Sequence, residues 1–87
     1  MDYVILDVRE PGEFKMGHVD GAQNVPLGKL KSAKEVKALQ KDQKIIVYCA
    51  SGARSAMAHK ILEGMGFAEV INGTNKPMTE RFLYENS

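Results

Sequence analysis

The sequence predicts an α/β fold, a small and mainly parallel sheet flanked by helices. Three observations carry this. The apolar runs Y-V-I-L (3–6) and K-I-I-V-Y (44–48) lack polar alternation, as strands buried on both faces do. Ala58, Ile61, Leu62 and Met65 then fall at i, i+3, i+4 and i+7, the spacing of an amphipathic helix. A further apolar run, F-A-E-V-I-N (67–72), follows that helix. Strands alternating with helices imply parallel crossover units. A chain of 87 residues, 44% of them apolar, suits one domain over 1–87 with one core.

The elements follow in order. Residues 3–6 form a first strand bounded by acids. The stretch R-E-P-G-E-F-K-M-G-H (9–18) holds Pro11, Gly12 and Gly17, so it reads as a turn with room for one helical turn. A-Q-N-V-P (22–26) reads as a short strand that ends at Pro26. S-A-K-E (32–35) has capping-box spacing and predicts a helix from 33 to 41, with Val36 and Leu39 on one face. Residues 44–48 form a second buried strand. The helical stretch 56–66 ends at Gly64 or Gly66. The strand 67–72 meets the turn residues G-T-N, and Pro77 suits the first position of a last helix, with Met78 and Phe82 one turn apart. There is no internal repeat, low-complexity segment or linker.

Composition narrows the partners. The formal net charge is +1, which marks neither nucleic acid nor a membrane as partner. Lys29, Lys31, Lys34, Lys37, Lys41 and Lys44 cluster, and a solvated helix face explains them better than a docking patch. No run approaches the roughly 20 apolar residues of a membrane span. The start M-D-Y-V-I-L-D has no basic region and too short an apolar stretch for a signal peptide. The expectation is a cytoplasmic monomer, or a periplasmic one if a leader has been removed. The single cysteine, Cys49, forbids an internal disulfide.

Cys49 sits at a strand-to-helix junction, in C-A-S-G-A-R-S (49–55). In open α/β sheets ligands gather beyond the carboxyl ends of strands. The first amides of the next helix have no helical partner, and the helix dipole favours negative charge there. A thiol so placed ionises more easily, and the thiolate is the nucleophile. Ala50, Ser51, Gly52 and Ala53 are small enough for successive N–H groups to curl into an anion-binding nest. Gly52 can take the positive φ of a tight curl. Arg54 adds a planar fork of donors suited to an oxyanion. A cysteine at a strand end is more often a small hydrophobe, but a core cysteine needs neither the small residues nor the arginine.

These residues resemble the rhodanese-like sulfurtransferases. The loop C-A-S-G-A-R-S is similar to that family's active-site loop. D-V-R-E-P-G-E-F-K-M-G-H-V-D-G-A-Q-N-V-P (7–26) and V-Y-C-A-S-G-A-R-S-A-M-A-H-K-I-L-E-G-M-G-F (47–67) resemble its two signatures, and together the likeness spans roughly residues 4 to 72. The resemblance implies that a Cys49 thiolate takes sulfane sulfur from a donor such as thiosulfate and becomes a persulfide. A thiol, a protein acceptor or cyanide then removes the sulfur, with no cofactor. The amides of Ala50 to Arg54 would form the cradle, and the Arg54 guanidinium would hold the donor's anionic part. Cysteine-dependent phosphatases and arsenate reductases place five residues between cysteine and arginine, whereas four stand here. One residue fewer removes up to ~3.5 Å of contour, which disfavours that chemistry. The remaining alternative is a non-catalytic rhodanese-like binding or regulatory module.

Asp7 and Arg9 lie on the same rim. They either orient the cysteine loop or, as the resemblance favours, tie the turn 7–17 together with Glu13. The resemblance gives His18, in G-H-V, a structural hydrogen bond. His59 falls on the helix surface or is partly buried, and no spacing of histidine and cysteine suggests a metal. Ser51 and Ser55 have no evident base, and Ser55 reads as a helix-start residue. No phosphate-binding glycine motif is present. The chain departs from the family pattern in three places. Ala50 stands where arginine is frequent, which would weaken thiosulfate binding. The chain opens almost at D-V-R, one strand and helix later than is common, which would leave a sheet edge open. N-G-T-N-K-P (72–77) replaces the usual glycine pair.

Overall fold

The buried apolar runs become the middle of the sheet. The structure is a computed structural model and describes residues 3–87. Its strands are β1 (Tyr3–Asp7), β2 (Gln23–Asn24), β3 (Lys44–Tyr48) and β4 (Glu69–Thr74), and its helices are α1 (Pro11–Lys15), α2 (Lys34–Lys37), α3 (Ala53–Gly64) and α4 (Lys76–Glu85). The sheet order is β2-β1-β3-β4 and every pairing is parallel. This is the α/β architecture expected, with β2 and β4 at the edges. β1 and β3 run side by side from Tyr3 opposite Lys44 to Asp7 opposite Tyr48. Their carboxyl ends therefore come level, and the segments after Asp7 and Tyr48 meet on one rim.

Residues Ile45 to Tyr48 are fully buried, so β3 is covered on both faces. On one face Leu6, Ile45 and Val47 join Leu30, Val36, Ala58, Leu62 and Phe67 in a single cluster that includes Cys49. Each fully buried aliphatic side chain contributes about 1.5–3 kcal/mol. On the other face Tyr3 meets Phe82 of α4 edge-on, with ring centroids 5.5 Å apart.

Four local readings change. The Ser32 hydroxyl donates to the Lys29 carbonyl at 3.3 Å, within a turn, so no capping box forms at 32–35. Ala33 is the N-cap and α2 is only four residues long. Lys34 and Lys37, and Lys37 and Lys41, repel at helical spacing, which disfavours a longer helix. Second, α3 starts at Ala53, three residues earlier than the apolar spacing suggests, with Gly52 as N-cap at φ 101°. At its other end Gly66, at φ 100°, terminates it. Third, the strand expected at 67–72 starts two residues later and runs on to Thr74, as Glu69–Thr74. The pairing jumps from Val47 opposite Asn72 to Tyr48 opposite Thr74, which leaves Gly73 as a bulge. Bulges are common beside active sites, where they re-aim a strand. Fourth, Met78 is exposed and the residue that α4 buries is Thr79.

Candidate active site

The junction after β3 curls around the Cys49 side chain and turns backbone donors toward it. Cys49 leaves the strand with its N–H bonded to the Thr74 carbonyl at 3.1 Å. Gly52 then turns the chain at positive φ, and its N–H donates to Cys49 Sγ at 3.0 Å. The N–H of Ser55 donates to the same sulfur at 3.4 Å. Ser55 occupies the third position of α3, where amides lack an intrahelical carbonyl partner. Of the amides of Ala50 to Arg54 expected to form the cradle, that of Gly52 is bonded to the thiol, and the second donor, Ser55, lies one residue beyond that set.

Burial and hydrogen bonding oppose each other at Cys49. The residue is 1% exposed, and burial pushes the thiol pKa up. The Ser55 hydroxyl and the backbone N–H groups of Ser55, Gly52 and Ser51 pull it down. The donors win, and the thiol lies at about 7, below its ordinary value. A thiol near neutral pKa is half ionised at pH 7 and remains a strong nucleophile.

Ser55 is the site residue that the sequence reading passed over. It is fully buried, and its Oγ lies 3.5 Å from Cys49 Sγ. Beside the protonated thiol its hydroxyl accepts from Sγ and donates to Asn72 Oδ1 at 2.7 Å; when Cys49 ionises the hydroxyl proton turns to the sulfur, and Asn72 Oδ1 keeps the Thr74 N–H at 3.0 Å. A signal for it exists in the chain. Ser55, Ala58 and Leu62 form the buried face of α3, and extending the Ala58–Leu62 stripe one turn back lands on Ser55.

Thr74 closes the other side. It holds φ 72°, unusual for a β-branched residue. A Cβ on Gly52 would stand 3.0 Å from Thr74 Cγ2, so this side chain packs directly on the turn of the cysteine loop. The departure N-G-T-N thus places a strained threonine against the cup.

Arg54 sits in the first turn of α3, but its fork is occupied. Nη1 and Nη2 donate to Glu13 Oε1 at 2.7 Å and Oε2 at 3.0 Å. Glu13 was expected to tie its own turn. It does accept the Glu10 N–H at 2.9 Å, and its ion pair crosses to α3. The Arg54 bond and the Glu10 N–H hold its carboxyl down at about 2.

Asp7 and Arg9 meet each other. Arg9 Nε donates to Asp7 Oδ1 at 2.9 Å and its Nη2 to Oδ2 at 2.7 Å. Nη2 also reaches the Gly17 carbonyl at 2.7 Å, which closes the turn 7–17. His18 Nδ1 donates to the Phe14 carbonyl at 2.9 Å, and its ring stacks on Phe14. His59 Nε2 donates to the Val70 carbonyl at 2.9 Å and joins α3 to β4. Ala50, Ser51 and Ala53 line the exposed rim of the loop. Among the described residues no cluster of histidine, cysteine and carboxylates fits a metal ion, and no helix is long and apolar enough to cross a membrane.

A parallel sheet with a cysteine cup at its carboxyl rim agrees with the comparison to known proteins. The rhodanese-like domain family matches residues 1–74. The chain belongs to this family. It is similar to YqhL of Bacillus subtilis, at 40% identity over 68 residues, covering 78% of this chain and 52% of that protein. It is also similar to the thiosulfate sulfurtransferase PspE of Escherichia coli, at 37% identity over 67 residues, covering 77% of this chain and 64% of that one. It spans less than two thirds of the length of either relative. A solved rhodanese with anions from Escherichia coli superposes with a TM-score of 0.80 at 33% identity, covering 87% of this chain and 89% of that one.

Proposed function

We propose that this rhodanese-like domain is a sulfurtransferase that carries sulfane sulfur as a persulfide on Cys49. The observation that carries this reading is the pair of backbone N–H groups, from Gly52 and Ser55, directed at Sγ. They favour a thiolate before the reaction and a charged sulfur after it. With thiosulfate as donor, the Cys49 thiolate attacks the outer sulfur. The new S–S bond forms as the bond to the sulfonate sulfur breaks, and sulfite leaves with the electron pair. Cys49 is then a persulfide anion. Cyanide or a thiol attacks its terminal sulfur, leaves as thiocyanate or as a new persulfide, and returns Cys49 as a thiolate. The acceptor thiol is not among these 87 residues, which hold Cys49 alone. Similarity to a thiosulfate sulfurtransferase supports the same chemistry.

The near-complete burial of Cys49 favours a second reading, a silent module that uses the fold for docking. Intact-mass spectrometry after incubation with thiosulfate or a thiol persulfide separates them. The sulfurtransferase reading expects one added sulfur that cyanide removes and that Cys49→Ser never acquires. No added sulfur from any donor leaves the docking module.

A further inference from the structure

Both arginines at the carboxyl rim are already paired, Arg9 with Asp7 and Arg54 with Glu13. The second pair bears on which donor the site takes. Glu13 is held on two sides, by the Glu10 N–H at 2.9 Å and by both Nη atoms of Arg54. Its carboxylate stays ionised at any working pH, since its pKa lies at about 2. A negative charge therefore already sits against the Nη1 and Nη2 face of the guanidinium and offsets the positive charge that an anionic donor group would need. Neighbouring residues offer no substitute, because Ala50, Ser51, Gly52 and Ala53 carry no charge.

Resting on the sulfurtransferase reading, we propose that Glu13 is a specificity-determining residue: by neutralising Arg54 it disfavours thiosulfate and makes thiol persulfides the preferred donors. A persulfide, R–S–S–H, needs only to bring its terminal sulfur to Cys49 Sγ. The Cys49 thiolate attacks that sulfur, the S–S bond to R–S breaks, R–S⁻ leaves with the electron pair, and the proton stays on the transferred sulfur. No group has to displace Glu13. Thiosulfate brings a dianion against the Glu13 carboxylate and meets a guanidinium whose charge is already paired.

The test is the ratio of kcat/KM for thiosulfate to that for cysteine persulfide, measured on the full chain. Glu13→Gln keeps an oxygen for the Glu10 N–H and frees the Arg54 charge, so the ratio rises at least about tenfold. Adding Arg54→Gln restores a neutral rim and returns the ratio to within about threefold of the parent. Arg54→Gln alone leaves Glu13 unpaired and lowers the ratio at least about tenfold, which tests the proposal even if Glu13→Gln folds poorly. A ratio that stays put in Glu13→Gln and in Arg54→Gln overturns the proposal, as does a rise that persists in the double variant. Cys49 labelled with sulfur at an unmoved ratio sinks this inference alone. No sulfur on Cys49 from either donor sinks the sulfurtransferase reading with it.

Discussion

Replacing Gly52 with alanine tests the cup at its tightest point. The residue sits at φ 101° and ψ −16°, where an L side chain costs roughly 1–2 kcal/mol. The added Cβ also meets Thr74 Cγ2 at 3.0 Å, and Thr74 is itself held at φ 72° and gives way poorly. For a domain of this size each 1 kcal/mol shifts the melting temperature by about 4–8 °C, so a fall of roughly 4–16 °C is expected. The chain relieves the strain by turning the Gly52 peptide, which draws its N–H away from Sγ. A hydrogen bond to a charged acceptor is worth about 1.5–3 kcal/mol. At ~1.36 kcal/mol per unit, the thiol pKa rises by roughly one to two units. Thiolate at pH 7 then falls from about one half to between about one tenth and one hundredth. The assay is the rate of iodoacetamide alkylation against pH, beside thermal unfolding of the same protein. An alanine variant with an unmoved alkylation curve would refute the claim that this amide acts on the sulfur, even if its melting temperature drops.

Three further outcomes follow from the same contacts. Ser55→Ala removes the hydroxyl 3.5 Å from Sγ, the foremost of the groups that lower the thiol pKa, but keeps the Ser55 N–H, so the alkylation midpoint rises by about one unit. Thr74→Gly relaxes the positive φ and stabilises the domain by about 1 kcal/mol in urea unfolding, while sulfur transfer slows because the packing on Gly52 is lost. Stability should also depend on pH through Cys49. Its folded pKa lies below its ordinary value, so the contribution is full above the unfolded pKa, declines below it and is lost as pH falls through about 7. From the unperturbed ~8.5 to about 7 is roughly one and a half units, or about 2 kcal/mol. The check is the difference in unfolding free energy between the parent and Cys49→Ala across that range; equal slopes would contradict the coupling.

The parts of the fold that were legible rest on local chemistry. The strand 44–48 needed only its run of β-branched and aromatic residues, and the Ala58–Met65 stripe needed only its period. The role of Gly52 was legible because one small residue in a tight turn has few other uses. The start of α2 differs because the chain turns at Lys29–Ala33, with the Ser32 hydroxyl on the Lys29 carbonyl, so that Ala33 and not Ser32 stands at the N-cap. The extension of β4 could not be seen at N-G-T, since a bulge depends on the partner strand. The Glu13–Arg54 pair joins residues 41 apart, and nothing local in P-G-E-F-K points across the sheet. Ser55 was readable in principle, one turn before Ala58, but its hydroxyl suggested a cap before it suggested a contact with sulfur.

Sulfur transfer at this rim depends on the ionisation of one thiol. Ultraviolet absorbance of the Cys49 thiolate against pH, with Cys49→Ala as the blank, measures it directly. The predicted midpoint is about 7. A midpoint at or above the unperturbed ~8.5 would show that burial, and not the converging amides, governs Cys49.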